Sequence, residues 1–526
     1  MYPLQLHLLS RLSTAAILAT CVVLSGCATV GDEFFAVRFV DEQTGRGVPL
    51  VEIESTHGVK YISDSAGYIA INRVTSREGV MYFSVRSHGY EIDKDRYGWQ
   101  GIRLHLAREL QKVVPMRRTN IAERLYRVTG EGIYHHSTLL DLPFSRTIGD
   151  QPRGGVFGQD SVVNAIYDGK LYWFWGDTSR AETRLGNFKV SGATSSLPVP
   201  GSPEAELGIE LDYFVGPGGF SRAMCPIEGP GVVWISGLAV VQDNVHERMI
   251  CHYSRRAGMG EQYEHGIAVW DDEHQRFEKA VEFPEGELKH PYGHTLPQQV
   301  EGEPWLYFGH GLPEVRVRAR MEDILDPGQY QAYTFMQEGK EWDIENPAID
   351  RDANGELAWA WRYDAERVDL HRWRALRFRG LVESHENRQS LVDATSGRRI
   401  HVHNGHIAWS EHRQRWLLVA GEFIGENSLL GDIWYAESPS PMGPWSKAMR
   451  IVSHNNYSFY NVKQHPYYAA DNFIYFEGTY TKSFSRTKEP TPRYNYNQIM
   501  YRLDLDDPRL AAVRAAGDGP DGTSSP

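Results

Sequence analysis

Apolar and polar residues alternate along most of this chain in short runs, and the runs come in pairs. In the clearest pair a short strand leaves Asp160-Ser161, turns at Asp168-Gly169-Lys170, and returns through Leu171-Tyr172-Trp173-Phe174-Trp175 to stop at Gly176-Asp177-Thr178. The first strand starts where the second ends, so an antiparallel hairpin is predicted with Asp160 and Asp177 at the same end. The same unit recurs at 231–243 with 248–253, 295–300 with 304–310, 347–351 with 357–362, 403–410 with 415–422, and 464–468 with 473–478. Further alternating runs follow some of these pairs: 267–270 with 277–283, and 432–437 with 448–451.

Successive hairpins start about sixty residues apart, a period that suits one four-stranded blade with long loops. The predicted fold class is all-β: a β-propeller of five or six blades over 135–508. Six hairpins are counted, and the lower number applies if one of them is an insertion. The last repeat offers 498–503 but no fourth strand, so its edge needs a strand borrowed from earlier in the chain. Tyr126-Arg127-Val128 and Gly132-Ile133-Tyr134 are the candidates. Ahead of the ring, 34–107 alternates in still shorter runs with turns at Asp41-Glu42-Gln43-Thr44-Gly45 and Ser63-Asp64-Ser65-Ala66-Gly67. It reads as a small β-sandwich acting as a spacer, joined by a linker at 108–134. After 508 the composition is that of a disordered tail, 509–526.

Composition changes this picture little. With Tyr 28, Trp 14, Phe 20, Gly 50 and Pro 27 in 526 residues, strands and turns are favoured over helices. A net charge of −13 argues against a nucleic-acid partner. The arginines at 316, 318 and 320, and at 372, 374, 377 and 379, are read as solvated strand faces. The first residues matter more. Arg11 precedes an apolar run, 15–24, too short to span a bilayer, which ends in Leu24-Ser25-Gly26-Cys27. This is similar to a bacterial lipobox. It implies a signal peptide at 1–26, lipidation of Cys27, a tether at 27–33, and a chain held at the cell envelope by a lipid anchor, at the outer membrane since Ala28 follows the cysteine. Cys225 and Cys251 would remain, as a disulfide or as two buried thiols.

In a propeller the innermost strand of each blade lines the channel, and hairpins oriented alike present their open ends on one face. That arrangement is expected to gather Asp160, Asp177, His310, His403, His406, Glu422, His465 and Glu477 around one funnel, with Trp173, Trp175, Tyr307, Tyr435 and Tyr475 beside them to pack on sugar rings. Glycoside hydrolysis needs two carboxyl groups, one protonating the leaving oxygen and one activating water or attacking. Asp160 is the leading catalytic candidate; Glu477 and Glu422 compete for the acid. Asp177, Trp175, His310, His403, His406, His465 and Tyr475 are read as substrate-binding, although Asp177 has a plainer role as a turn residue. No metal is expected: no H-x-x-x-H or H-E-x-x-H spacing on a helix supports zinc, and His401-Val402-His403 on a strand is more often packing. No cofactor is expected either, apart from room for a structural cation in the channel. A G-x-S-x-G elbow, a phosphate-binding glycine loop and a C-x-x-C pair are all missing from the sequence.

Two resemblances extend these readings. The run 34–107, with its D-x-x-T-G-like and S-D-x-x-G turns, resembles the carboxypeptidase-regulatory-like (transthyretin-like) sandwich, a module that usually carries no chemistry. Asp160 with Trp175-Gly176-Asp177-Thr178 resembles a bacterial propeller domain marked by G-x-D…(F/W)-G-D-T. The run Trp434-Tyr435-Ala436-Glu437 with Gly443-Pro444-Trp445 is similar to motifs of arabinanase and β-fructosidase propellers. These resemblances imply glycan hydrolysis with Asp160 as base or nucleophile. The alternative is a glycan-binding or structural lipoprotein without a working acid–base pair.

Overall fold

The computed structural model describes residues 33–73, 79–143, 153–201, 204–243 and 246–514. Cys27, the signal peptide, the tether and most of the tail lie outside the described residues.

The N-terminal run forms two four-stranded sheets. One is ordered Tyr68–Asn72, Phe34–Asp41, Gln111–Arg118, Tyr90–Glu91; the other Lys60–Ile62, Glu52–Ser55, Val80–Arg86, Gly101–His105. Alternate residues of both sheets, among them Phe35, Val37, Phe39, Ile53, Ile69, Phe83 and Leu104, close one core between them. The stretch expected to be a linker is structured. Gln111–Arg118 runs parallel to Phe34–Asp41 inside the sandwich, because its alternating apolar residues Val114 and Met116 have that core to enter.

The remainder is built around a ring of five blades of antiparallel strands; in the fourth, Ser390–Asp393 also joins the sheet and pairs in parallel with its outer strand. Blade one comprises Val162–Tyr167, Lys170–Trp175, Ser191–Ser195 and Asp212–Tyr213; blade two Val232–Asp243, His246–Arg256, Gln262–Asp271 and Arg276–Glu282. Blade three comprises Leu296–Val300, Glu303–Phe308, Val315–Arg318 and Gln331–Thr334; blade four Arg399–Ser410, Arg415–Glu422, Asp432–Ser438 and Lys447–Ser453. Blade five comprises Ser458–Gln464, Phe473–Thr481 and Asn497–Asp504, closed by Glu123–Arg127 from before the ring, with Arg127 opposite Ile499 and Tyr126 opposite Met500. The first of the two candidate closing segments is therefore the one used. Its other flank is pinned to the sandwich: the buried Arg124 guanidinium donates to Pro49 O (2.8 Å), His88 O (2.8 Å) and Ser87 Oγ (2.7 Å). The sandwich is packed on the ring and is no free stalk.

The hairpin expected at 347–362 is not a blade. Arg351 and Leu357 make an isolated bridge, while Ala360–Arg362 adds a fifth strand to the edge of blade three. Its apolar residues, with Phe335, Trp373, Leu376 and Val382, form a small separate cluster outside the ring. The arginines from 372 to 377 lie on a helix, Leu370–Phe378, where Asp369 caps the first turn by accepting from Arg372 N at 2.8 Å. Arg316 does lie on a strand, but its guanidinium packs over Trp305 and Trp361 (4.3 and 4.6 Å to the ring centroids). Cys225 and Cys251 are both buried and unbridged.

Candidate functional site

Asp160 and Asp177 sit where the first hairpin leaves its blade. Beyond them the chain continues as a separate three-stranded sheet of Val156–Gln159, Thr178–Arg180 and Thr183–Asn187. The switch from one sheet to the other is held by Gly176 N donating to Asp160 O (2.7 Å) and Asp160 N donating to Asp177 O (3.1 Å). Ser161 takes the left-handed conformation that the corner needs (φ 54°). Gly158 is required by close approach: a Cβ there would lie 2.4 Å from the Tyr496 carbonyl oxygen. The two acids are at the same end of the hairpin, as its geometry predicts, and both are half-buried.

Their surroundings differ. Asp160 accepts from four hydroxyls: Ser161 (2.6 Å) and Thr479 (3.1 Å) on one oxygen, Tyr460 (2.9 Å) and Tyr496 (3.1 Å) on the other. Burial and the charge of Asp160 push both phenols upward, so they remain donors. Around this shell Thr479 Oγ1 accepts from Ser161 N (3.0 Å) and Gln498 Nε2 (2.8 Å). Asn461 donates to Ser161 Oγ and itself accepts from Asn404 Nδ2 (2.7 Å), which ties the corner to blade four. A carboxyl group gripped by four hydroxyl donors is fixed in place. Asp177 has the Trp234 indole N–H at 3.0 Å. Burial raises its pKa, the charge of Asp160 raises it further, and the Trp234 hydrogen bond opposes both. A carboxyl group whose pKa is raised, beside a second one fixed by hydroxyls, suits a proton donor next to a base or nucleophile.

The other expected acids are elsewhere. Glu477 is fully buried between blades five and one, with His465 Nε2 2.9 Å from its Oε1 and Lys463 opposite in register. Glu422 is fully buried as well: Arg398 pairs with both its oxygens (Nη2 to Oε2, 3.0 Å) and Trp434 Nε1 donates at 2.9 Å. Neither faces the open corner.

Most of the expected binding residues are likewise structural. Trp175 is fully buried, stacked on Trp173 (6.2 Å) and Tyr213 (5.5 Å), and Tyr475 is buried beside Tyr468 (6.5 Å). His465 is held by Asn164 (3.2 Å) and lies against Trp173; His406 packs against His294 at 5.1 Å. Tyr307 and Tyr435 are also in the core. Only His310 (exposed, 4.9 Å from the Tyr292 ring) and His403 (half-buried, stacked on Phe423 at 5.9 Å) keep open faces. The aromatic rim of the acid pair is different: Trp234, Tyr460, Tyr496 and the exposed Phe484, which meets Tyr460 edge-on at 6.0 Å.

Sequence reasoning missed these residues because the inner strand of blade five starts at Ser458, ahead of the expected 464, and carries a bulge between Tyr460 and Lys463. The aromatic-polar run Tyr457-Ser458-Phe459-Tyr460-Asn461 is the signal that was present. A second cluster also went unread. Glu314 accepts from Arg367 (2.7 and 3.2 Å), Tyr292 and Gln389. Burial alone would raise its pKa, but Arg367 and the Tyr292 hydroxyl outweigh it and hold the carboxyl below its usual range. That makes Glu314 a poor proton donor and a firm strap for the segment inserted after blade three.

No protein-family model and no curated protein matches the chain. Among solved structures it is similar to an exo-1,5-α-L-arabinanase from a bovine ruminal metagenomic library, at 13% identity and a TM-score of 0.33 over 67% of this chain and 94% of that one. A GH43_1 enzyme from Xanthomonas citri in complex with xylose aligns at 13% identity and a TM-score of 0.33, over 68% and 90% of the two chains. An exo-β-1,3-galactanase from Phanerochaete chrysosporium aligns at 12% identity and a TM-score of 0.34, over 73% and 64%.

Proposed function

We propose that this is a glycan-active propeller, a glycoside hydrolase in which Asp177 is the general acid and Asp160 its partner, acting as base or nucleophile. The observation that carries the reading is the asymmetry of the pair. Asp160 has four hydroxyl donors, whereas Asp177 has one indole donor and a neighbouring negative charge. In that reading Asp177 protonates the leaving glycosidic oxygen, and Asp160 attacks the anomeric carbon or deprotonates a water once a hydroxyl has turned away from it. Trp234, Tyr460, Tyr496 and Phe484 form the wall against which a sugar ring would pack. The acid role expected of Glu477 or Glu422 passes in this reading to Asp177.

The saturation of Asp160 favours a second reading. A carboxylate whose lone pairs are all occupied is a weak base, and the same corner would then bind a glycan without cleaving it. Incubating the full chain with plant, algal and bacterial glycans while measuring new reducing ends separates the two. Hydrolysis by the wild type that is lost in both Asp160→Asn and Asp177→Asn supports the enzyme. Equal inertness of all three proteins, with glycan binding retained, overturns it.

The envelope location is part of the proposal and rests on Leu24-Ser25-Gly26-Cys27. Metabolic labelling with a fatty acid tests it: label in the wild type and none in Cys27→Ser is expected. Equal labelling of both removes the anchor.

A further inference from the structure

We propose that His252, His265 and His290 form a binding site for a divalent transition-metal cation, Zn²⁺ by ligand type, that clips the loop between blades two and three onto blade two. The sheet itself brings two of these residues together. His252 lies on the second strand of blade two, opposite Ser236, and His265 lies on the third strand, opposite Ser254. The register makes them diagonal neighbours on one face. His290 reaches them from the loop that follows the outer strand. The three rings are mutually 4.1, 5.1 and 5.3 Å apart, and one ring nitrogen from each lies within 4.8 Å of the others.

Two of the three nitrogens are already spaced as ligands are. His252 Nε2 and His265 Nδ1 are 3.0 Å apart. A tetrahedral Zn²⁺ with bonds of about 2.0–2.1 Å spaces its ligand atoms by roughly 3.3 Å. The opposite nitrogens are held by oxygens: His265 Nε2 at 3.1 Å from Pro284 O, His290 Nδ1 at 3.0 Å from Pro291 O, and His252 Nδ1 facing Ser236 Oγ at 3.5 Å. An outer partner on the far nitrogen fixes the tautomer and aims the other lone pair inward. Burial keeps all three imidazoles neutral, the form that ligates. Glu282 and Glu287 lie within electrostatic range of His265, which favours a cation; Arg367, on the His290 side, is paired to Glu314. His290 stacks nearly parallel to His252 (11°), so it must tip for its plane to contain the metal. It is half-buried and on a loop, and is the ligand free to do so. Three imidazoles leave a fourth position for water.

Metal-free, the same atoms make a His252-to-His265 hydrogen bond with a ring stacked on it, and the test distinguishes the two. Purified full chain is stripped with chelator and titrated with Zn²⁺ by calorimetry and with Co²⁺ by visible absorption. One equivalent per chain is expected, with the absorption of a four-coordinate site and a melting temperature that rises with metal. His290→Ala should weaken binding by more than about 100-fold, since loss of an outer-shell partner alone costs roughly 10–100-fold. Circular dichroism of this loop variant checks that it is folded. The exposed cluster of Asp271, His274 and Glu278, where His274 Nδ1 meets Asp271 at 2.9 Å, supplies the control, and His274→Gln should bind like the wild type. No stoichiometric binding, binding undiminished in His290→Ala, or binding lost in His274→Gln overturns the proposal.

Discussion

The two acids of the corner should respond to the same substitution with opposite signs. In Asp160→Asn one carboxylate oxygen becomes an amide that only donates, so two of the four hydroxyls now face a donor. Hydrogen bonds to a charged group are worth about 1.5–3 kcal/mol each. Ser161 and Tyr496 are half-exposed and can turn to water, so about 2–4 kcal/mol of stability should be lost in all. Asp177→Asn keeps an oxygen for Trp234 and removes an ionisation that burial disfavours. The sign follows from linkage. A folded-state pKa raised above the unfolded value of about 3.9 means that the native protein holds the proton longer, so stability falls as pH rises through that window and stays lower at neutral pH. Asn escapes that loss. Asp177→Asn should therefore be neutral to stabilising at pH 7 relative to the wild type, and the benefit should vanish below the unfolded pKa. Urea unfolding of the three proteins at neutral and acid pH reads this directly. If Asp177→Asn is destabilised as much as Asp160→Asn, or Asp160→Asn unfolds like the wild type, the proposed division of roles between the acids is wrong.

Other consequences can be checked separately. If Asp177 is the acid, Asp177→Asn should slow hydrolysis of natural glycans by about 100-fold or more, and much less for aryl glycosides whose leaving group needs no proton; equal loss on both substrates argues against an acid role. Glu422→Ala leaves Arg398 and Trp434 without their acceptor, and should cost about 2–4 kcal/mol in urea unfolding while activity per folded molecule is unchanged. Gly158→Ala drives a Cβ into the Tyr496 carbonyl and should displace the Tyr496 hydroxyl from Asp160, reducing glycan binding or turnover while circular dichroism stays native. Lys463 is held down to about 8 by burial, with Glu477 opposing. Its folded pKa lies below the unfolded one, so wild-type stability should rise relative to Lys463→Met between about pH 8 and 10, by up to about 3 kcal/mol. A flat difference over that range would rule out a buried ammonium.

Much of the ring was legible because its signals are local. Period-two alternation, Gly-Asp and Asp-Gly turns and repeated spacing are properties of neighbouring residues, and they placed the inner hairpins of four blades, the second strand of the fifth, and the corner shared by Asp160 and Asp177. The extra hairpin at 347–362 shows where that reasoning stops. Its alternation is real, yet its apolar face packs on Trp373 and Leu376 of an inserted helix and not on a neighbouring blade. The same limit misplaced the aromatics: Trp173 and Trp175, two apart on one strand, share a face as expected, but that face is the seam between blades.

By itself the sequence determined that the chain is a radial repeat of β-meanders and that two aspartates share one end of the first hairpin, since both follow from what adjacent residues can do. Tertiary structure alone decided which acids are open: Arg398 and Trp434 close over Glu422 and His465 over Glu477, whereas Asp160 and Asp177 stay half-buried at the corner. It also decided which groups surround each acid. Three of the four hydroxyls that hold Asp160 come from residues 300, 319 and 336 positions away, and a donor at that separation leaves no trace in the local pattern.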